Sequence, residues 1–434
     1  MKLYKYQETG VKWLNAKHRS LLADDMGIGK SAQVITHLKE CPERLPALIV
    51  VPASLKINWQ REVEMWFGIE SQIVSGNKPV EFKSKIVIIN YDVLAAHAKN
   101  LVKANFETLV CDEAHYVKNK KAIRTKAVVF LQKTIPFFIA VTGTPIENRP
   151  FEMYNILKII SPAQFKNFWH YVQYFCNAKH NGYGWDYTGH SNTEELYNLI
   201  NNKIMLRRKK EDVLKDLPEK TRSVLMFPLE NKAEYYAYQN EFYSGEISPL
   251  VGIQHLKRLA GQGKLKSINE WIQNIIDNGN KVVVFAIHHI IIDNIFEKFK
   301  KIAVKLDGRS TSEQRQKAVD DFQGNEKIKL FVGQIKAAGV GITLTAATHC
   351  LFAELDWSPF MHFQAEDRLH RIGQKNNVTC YYAIAEKTIE EKIMTMLQSK
   401  KEVIDKTIDG KTIDSEDDSI FSTLLKEYSK NPDS

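Results

Sequence analysis

The sequence predicts an α/β protein with two parallel-sheet lobes and a helical insertion between them. Short apolar, β-branched segments recur at helix-length intervals in the first third of the chain, at 48–51, 86–89, 108–111 and 137–141. A second set follows at 281–285, 329–332, 349–353 and 380–383. Buried parallel strands joined by crossover helices have this pattern. A chain of 434 residues also exceeds what one hydrophobic core usually organises, which agrees with more than one lobe.

Changes in this pattern divide the chain into four parts. The strand rhythm lapses after residue 161, where Glu-, Lys- and Tyr-rich segments such as 194–197 and 232–236 are typical of helices. The chain becomes charged near its end. We therefore predict a first lobe at 1–161, a helical insertion and inter-lobe connection at 162–266, a second lobe at 267–404 and a charged tail at 405–434.

Composition narrows the class of protein. Sixty basic and 51 acidic side chains give a formal net charge of +9, which suits a polyanionic partner and equally fits a Lys-rich solvated surface. With 44% hydrophobic and 26% charged residues, disordered, collagen-like and coiled-coil classes are excluded. Five scattered cysteines without a C-x-x-C pair indicate a reducing compartment. A polar N-terminus and the histidines within 282–292 predict neither a signal peptide nor a membrane span, so we expect an aqueous compartment.

A glycine-rich loop follows the apolar residues 21–23 and precedes a helical segment. It reads Asp24-Asp25-Met26-Gly27-Ile28-Gly29-Lys30-Ser31. Glycines let backbone N–H groups surround phosphate oxygens at a helix N-terminus, where Lys30 supplies positive charge and the Ser31 hydroxyl can bind Mg²⁺. Asp24 stands where the strict phosphate-loop pattern has its first glycine, so the loop alone is also compatible with an ordinary glycine turn.

An acidic motif, Asp112-Glu113-Ala114-His115, directly follows the predicted strand at 108–111. The carboxyl ends of parallel strands are where α/β sheets bind ligands. Asp112 is suited to holding Mg²⁺ through its water shell, and Glu113 to orienting and deprotonating an attacking water. A helix-capping acidic pair is the alternative for this motif alone. Its occurrence together with the glycine-rich loop favours a nucleotide hydrolase.

Two arginines three residues apart lie in the segment 364–374. On a helix, Arg368 and Arg371 would share one face, where their guanidinium groups can stabilise charge that develops on a phosphate, as an arginine finger does. A surface ion-pair network with Glu366 and Asp367 is the alternative.

These segments resemble the Swi/Snf-type superfamily-two DNA translocases. The resemblance runs from Tyr6 to Glu391 and includes the segments 48–59, 142–148, 206–214 and 364–374. It implies two RecA-like lobes, ATP and Mg²⁺ as cofactors, and double-stranded DNA as a partner bound without sequence preference. Residues 184–196, 285–289 and 352–359 are most similar to the branch of annealing helicases and fork-remodelling translocases.

The resemblance also implies a role for each matching residue. Gln7 would read adenine, and ATP would be bound by Gln7, Asp25, Met26, Gly27, Ile28, Gly29, Lys30, Ser31, Gly341 and Gln364. The catalytic residues would be Lys30, Asp112, Glu113, Arg368 and Arg371, with Ser31 and Asp112 serving the metal. Coupling or DNA contact would fall to Ser54, Asn58, Trp59, Lys118, Asn119, Thr142, Thr144, Gly339 and Thr343. Asp25, Ile28 and Ser31 replace the family's usual Glu, Leu and Thr and keep the chemical type.

Two basic runs could follow a phosphate backbone. The segment 118–126 carries five basic residues and no acid, and 207–210 adds four basic residues in a row. A solvated helix face is the alternative for the first run.

Two histidine groups favour local roles over metal binding. His170, Cys176, His180 and His190 lack the paired spacing of a tetrahedral zinc site, so we expect local packing there. His288 and His289 have no companion ligand at suitable spacing, and we expect a structural or coupling role.

The sequence therefore predicts an ATP-dependent motor on double-stranded DNA. Nucleotide would bind between the lobes, hydrolysis would drive movement along DNA, and fork remodelling or strand annealing would be the activity of this branch. The alternatives are an RNA-directed superfamily-two helicase and a catalytically inactive DNA-binding scaffold. The preference for Lys over Arg and the small size favour a bacterial or phage source and hence the cytoplasm; a eukaryotic source would place the protein in the nucleus.

Overall fold

The computed structural model describes residues 2–143, 150–182, 184–187, 189–245, 247–339 and 341–408. Contacts divide the described residues into two compact units, which are 2–215 with 403–408, and 216–402. Each unit contains a parallel β-sheet flanked by helices, which confirms the predicted fold class. Residues 162–266 contribute to both units, because a strand at 205–206 joins the first sheet and a strand at 220–227 joins the second.

The first unit is built on a seven-stranded sheet. The strands of this sheet are β1 (Arg19–Leu22), β2 (Ala47–Val51), β3 (Gln72–Ile73), β4 (Ile86–Asn90), β5 (Thr108–Asp112), β6 (Phe137–Val141) and β9 (Met205–Leu206). A separate antiparallel hairpin consists of β7 (Lys179–His180) and β8 (Trp185–Asp186). The helices of the first unit are α1 (Lys5–Asn15), α2 (Lys30–Glu40), α3 (Lys56–Phe67), α4 (Tyr91–Lys103), α5 (Ile123–Leu131), α6 (Tyr154–Ile160), α7 (Phe168–Phe175), α8 (Thr193–Ile200) and α9 (Lys210–Val213).

The strand order of the first sheet positions the site. It is β3-β4-β2-β5-β6-β1-β9, and every pairing is parallel. β2, β4 and β5 are buried at all five positions, as expected for central strands covered by helices on both faces. Because β5, β6 and β1 are neighbours, the segments that follow their carboxyl ends meet at one edge of the sheet.

The second unit holds a six-stranded parallel sheet in the order β10-β15-β14-β11-β13-β12. Its strands are β10 (Lys220–Phe227), β11 (Val282–Ala286), β12 (Ala303–Leu306), β13 (Leu330–Gln334), β14 (His349–Phe352) and β15 (Val378–Ala385). Its helices are α10 (Lys232–Tyr243), α11 (Pro249–Gly263), α12 (Leu265–Asp277), α13 (His289–Lys298), α14 (Ser312–Gly324), α15 (Ile335–Ala338), α16 (Pro359–Glu366) and α17 (Ile389–Ile408), of which residues 389–402 belong to this unit.

The core of the second unit lies on both faces of its sheet. Val283 and Phe285 of β11 point into one apolar cluster, and Val282 and Val284 point into the other. This alternation follows from the two-residue period of a strand. Among the described helices, none is both long and apolar enough to span a bilayer.

Candidate nucleotide-binding site

The carboxyl ends of three adjacent strands bring the predicted ATP residues of the first unit together. The glycine-rich loop follows β1, Asp112 ends β5, and Thr142 and Gly143 follow β6. Gly143 approaches the loop so closely that a Cβ there would lie 2.5 Å from Met26 Cγ and 3.2 Å from Lys30 Nζ. The segment after β6 therefore contacts the glycine-rich loop at 24–31 directly, and we call this loop the phosphate loop from here on.

Two glycines give the loop its shape. Gly27 and Gly29 have φ values of 78° and 81°, in the left-handed region that other residues rarely adopt. Gly29 caps α2, so the N-terminal N–H groups of that helix face an anion-binding position after the loop. The Lys30 ammonium donates to the carbonyl oxygens of Asp24 and Asp25 at 2.9 and 3.0 Å. The Lys30 side chain is thus held against the backbone of the loop to which it belongs.

Opposing influences set the charge of Lys30. Loss of hydration lowers its pKa, while Glu113, Asp24, Asp112 and Asp25 favour the charged form. A bound triphosphate would add negative charge beside the ammonium and favour its protonated form further.

Asp112 is buried, and both of its carboxylate oxygens accept hydrogen bonds. Oδ1 accepts from the backbone N–H of Glu113 at 2.9 Å, and Oδ2 accepts from the indole N–H of Trp59 at 2.7 Å. Burial and the neighbouring Glu113 raise the pKa of Asp112 to about 7, although Trp59, the Glu113 amide and Lys30 act to lower it. A carboxylate fixed in this way suits contact with Mg²⁺ through the metal's water shell.

Glu113 has a strained backbone. Its φ of 48° and ψ of 55° lie in the left-handed region, where a residue with a Cβ is disfavoured. Its Oε2 atom lies 3.4 Å from His115 Nδ1. Strain of this kind concentrates at functional sites, where the surrounding structure holds it.

Gln7 of α1 is attached to the phosphate loop. Its amide Nε2 donates to the carbonyl of Ile28 at 3.1 Å, and its Oε1 accepts from the Tyr4 N–H at 2.9 Å. The Tyr6 hydroxyl donates to the same Ile28 carbonyl at 2.9 Å. The structure therefore places the predicted adenine-reading residue next to the loop.

An ion-pair cluster that the sequence analysis missed supports the loop. Asp24 is fully buried, and both of its carboxylate oxygens bind the Arg208 guanidinium. Arg207 Nη2 lies 3.1 Å from Asp25 Oδ1, and Gln33 Nε2 donates to Asp24 at 3.0 Å. The aspartate at the first-glycine position is thus an anchor for the loop.

This cluster corrects the prediction for the two arginines of the basic run at 207–210. Arg207 and Arg208 are 11% and 15% exposed and bind the acids of the phosphate loop, so their guanidinium groups are not presented to a DNA backbone. The run of basic residues gives no sign of these pairs, because the aspartates lie far earlier in the chain; Asp24 and Arg208 are 184 positions apart.

The predicted coupling and DNA residues of the first unit fall into two groups. Trp59 and Thr142 are buried, so their side chains offer no surface to DNA; the Trp59 indole instead positions Asp112. The more accessible residues are Ser54, Asn58, Lys118 and Asn119. Lys118 Nζ lies 3.3 Å from Glu152 Oε1. Thr144 lies outside the described residues.

The second unit gathers its own predicted residues. Arg371 Nη1 donates to the Ile342 carbonyl at 3.4 Å, and the Leu344 N–H donates to the Arg368 carbonyl at 2.8 Å. These bonds join the segment containing Gly339, Gly341 and Thr343 to the segment containing the two arginines. Gln364 is buried on α16, and its carbonyl accepts from Arg368 Nε at 3.0 Å.

The prediction that both arginines share a helical face is wrong. Helix α16 ends at Glu366, and Arg368 and Arg371 lie in the turns that follow. The Arg368 carbonyl accepts from Leu344 of another segment, which takes it out of the hydrogen-bond ladder that a continuing helix would need.

Glu366 fixes the end of α16. It is fully buried and lies 2.9 Å from Lys220 Nζ and 2.6 Å from Arg222 Nη2, both on β10. The Tyr382 hydroxyl donates to it at 2.8 Å. Burial alone would raise the pKa of Glu366, but Lys220 and Arg222 outweigh burial and hold it far below its usual range.

The histidine groups have local partners. His170 stacks on Tyr174, and His288 Nδ1 lies 2.5 Å from the buried carboxylate of Glu354. Glu354 also accepts the N–H groups of Ile287 and His288, at the start of α13. Within the described parts of the chain, no group of three or more His, Cys, Asp or Glu residues is arranged to hold a metal ion.

Comparison with known proteins gives two domain matches and several relatives. An SNF2-related domain matches residues 6–283, and a helicase conserved C-terminal domain matches residues 264–373. The chain is 34% identical over 419 residues to the SWI/SNF-related matrix-associated actin-dependent regulator of chromatin subfamily A-like protein 1 of Xenopus laevis, covering 93% of this chain and 44% of that protein. It is 33% identical over 439 residues to the DNA annealing helicase and endonuclease ZRANB3 of Homo sapiens, covering 94% of this chain and 41% of that protein.

The chain thus spans less than half the length of these two relatives. Among solved structures, the Sulfolobus solfataricus SWI2/SNF2 ATPase core in complex with dsDNA matches with 27% identity and a TM-score of 0.47, covering 93% of this chain and 92% of that one. The two relatives above are animal proteins, so they give no support to the bacterial or phage source that the Lys-rich composition favours. Because the SNF2-related domain matches more than half of its residues, the chain belongs to the SNF2-related family of helicase-like ATPases.

Proposed function

We propose that the chain hydrolyses ATP with Mg²⁺ and uses the reaction to move along double-stranded DNA without sequence preference. The observation that carries the proposal is the convergence of three segments at one sheet edge. Lys30, the Asp112-Glu113 pair and Gly143 follow three adjacent strands, and the two carboxylates act on the charge of Lys30. Membership of the SNF2-related family supports the use of a nucleotide.

The residues of the first unit suit phosphoryl transfer to water. Lys30 and the N–H groups after Gly29 would bind the phosphates, while the Ser31 hydroxyl and Asp112 would hold Mg²⁺. When bound, the metal neutralises charge on the phosphate oxygens. Glu113 would orient the attacking water and accept its proton.

The residues of the second unit would complete the reaction. We assign Arg368 and Arg371 to the charge that develops on the transferred phosphoryl group, with Gly341 and Gln364 as further nucleotide contacts. Gly339 and Thr343 would sense nucleotide and DNA. Hydrolysis would then shift the phosphate contacts of one unit relative to those of the other, which moves the DNA.

DNA is the favoured polymer for two reasons. The human relative is named as a DNA annealing helicase, and the segment at 118–126 carries five basic residues without an acid. Strand annealing or fork remodelling are the activities that we propose for the chain in its physiological setting.

A single assay separates this proposal from its alternatives. ATP turnover is measured for the chain alone and with blunt duplex DNA, single-stranded DNA or duplex RNA, with Lys30→Ala as the inactive control. We expect duplex DNA to stimulate most strongly and the stimulation to weaken with salt. Stronger stimulation by RNA would favour the RNA-directed helicase, and no turnover with any polymer would favour the inactive scaffold.

Movement needs its own measurement. ATP-dependent displacement of a third strand from a DNA triplex reports translocation along an intact duplex. We expect displacement with the unmodified chain and none with Glu113→Gln, which should bind ATP and fail to hydrolyse it. Turnover without displacement would contradict translocation and leave the ATPase assignment intact.

A further inference from the structure

Two exposed tryptophans meet on the first unit. Trp169 of α7 and Trp185 of β8 are 47% and 45% exposed, and their ring centroids are 5.3 Å apart. The exposed His180 of β7 packs edge-on against Trp185 with centroids 5.6 Å apart. We call Trp169, Trp185 and His180 the aromatic patch.

The two tryptophans do not contribute to the buried core of the first unit. The inner side of α7 buries Tyr171, Val172 and Phe175 in the core of the first unit. The hairpin that presents Trp185 is closed by two hydrogen bonds at 2.9 Å between Asn181 and Gly184. Large aromatic side chains left in water at an ordered position are typical of binding surfaces.

Positive charge adjoins the aromatic patch. Lys120 Nζ lies 4.3 Å from the centre of the Phe168 ring, and the Phe168 ring lies 5.5 Å from the Trp169 ring. Lys120 belongs to the run at 118–126, which has five basic residues and no acid. Lys120, Lys121 and Lys126 of this run are exposed. Lys120 and the Phe168 ring therefore connect the basic run to the aromatic patch.

We propose that the aromatic patch stacks unpaired bases of single-stranded DNA, whose phosphates the neighbouring basic run binds. Stacking on aromatic side chains beside a positively charged track is how proteins bind single strands without sequence preference. A duplex offers phosphates to the basic run, but the faces of its bases are stacked within the helix and cannot reach the rings. The aromatic patch therefore discriminates unpaired from paired DNA. The proposal rests on the proposed action on DNA, where a fork offers duplex and unpaired strands together.

The test compares two polymers that differ only in their bases. Binding of a labelled oligothymidylate and of an abasic deoxyribose-phosphate strand of equal length is measured by fluorescence anisotropy without ATP. In the double variant Trp169→Ala, Trp185→Ala, we expect about tenfold or greater weakening for the oligothymidylate and no change for the abasic strand. The double Trp→Phe variant should retain most of the affinity, because a ring remains to stack.

Two controls separate stacking from charge and from general damage. For both strands, Lys120→Ala should reduce the slope of log affinity against log salt concentration by about 0.7, as expected for one lost phosphate contact. Tyr243→Ala removes an aromatic side chain that is 38% exposed on α10 of the second unit, and should change neither affinity. Thermal melting of every variant checks the fold.

Three results would overturn the proposal. They are unchanged oligothymidylate binding by the double Ala variant, an equal loss on the abasic strand, and self-association of the unmodified chain that the double Ala variant abolishes. The last would make the patch an interface between copies. Failure of the motor assignment shows separately, as a lack of ATP turnover with any DNA, because the binding test contains no ATP.

Discussion

At Asp112, the requirements of folding and of chemistry act in opposite directions. The proposed metal site needs an ionised carboxylate, yet burial at the end of β5 and the adjacent Glu113 favour its protonated form. Its position after a buried strand predicts the residue from sequence alone. Its bond to the Trp59 indole could not be predicted, because 53 residues separate the two and spacing along the chain carries no distance.

Replacing Asp112 by Asn should change how stability depends on pH. The pKa of about 7 in the folded chain lies above the ordinary 3.8, so the folded state binds this proton more tightly than the unfolded state. The stabilising contribution of the group is therefore complete below about pH 4 and lost as the pH rises towards about 7. We expect the melting temperature of Asp112→Asn, relative to the unmodified chain, to rise between about pH 4 and about pH 7 and to change little at higher pH. A difference that is constant with pH would contradict the raised pKa.

Removal of Arg208 should destabilise the first unit strongly. Asp24 is fully buried, so Arg208→Ala leaves an uncompensated charge, with a cost of about 3–5 kcal/mol in the free energy of unfolding. Urea denaturation measures the loss. The matched control is Lys83→Ala, which breaks an ion pair to Glu81 in which both side chains are more than 70% exposed, and it should have little effect. Equal effects of the two variants would show that the Asp24–Arg208 pair is not a special support for the loop.

At the scale of elements, burial decided which strands the sequence could predict. The apolar runs predicted at 48–51 and 281–285 correspond to β2 and β11, because sheets covered on both faces need continuous hydrophobic segments. β10 was missed, since it pairs only with β15 at the sheet edge and none of its eight residues is fully buried. β9 has only two residues, too few for any pattern.

The missed strand β10 holds α16 through Glu366. Glu366→Gln should lower the free energy of unfolding of the second unit by about 3 kcal/mol or more, because Lys220 and Arg222 then lose their buried counter-charge. Chemical denaturation checks this, with Glu313→Gln on the exposed side of α14 as the control. Because α16 precedes Arg368, we also expect weaker ATP turnover. Unchanged stability would refute the anchoring role.

At the scale of the whole molecule, motifs in both units contribute to the proposed reaction. The phosphate loop and the acidic motif could be predicted because their chemistry requires contiguous residues. The turns that carry Arg368 and Arg371 could not be predicted, because their shape depends on hydrogen bonds to the backbone of a separate segment, at Leu344 and Ile342. The ion-pair cluster under the loop likewise depends on the fold of the entire first unit.

Arg371→Ala should separate nucleotide binding from hydrolysis. We expect binding of a fluorescent ATP analogue to persist, because the phosphate loop lies in the first unit, and duplex-stimulated turnover to fall about 10³-fold. Lys375→Ala, an exposed lysine in the same region, is the control and should keep its turnover. Near-normal turnover by Arg371→Ala would remove the arginine from the catalytic assignment.

The anchoring of Asp24 by Arg208 also bears on biosynthesis. The two residues are 184 positions apart, and β9 must pair with β1 to bring them together. On a translating ribosome, the phosphate loop therefore emerges roughly ten to forty seconds before its arginines do. Until then the aspartates of the loop lack the arginines that bind them. The nascent chain therefore forms the nucleotide pocket only after nearly all of the first unit has been made.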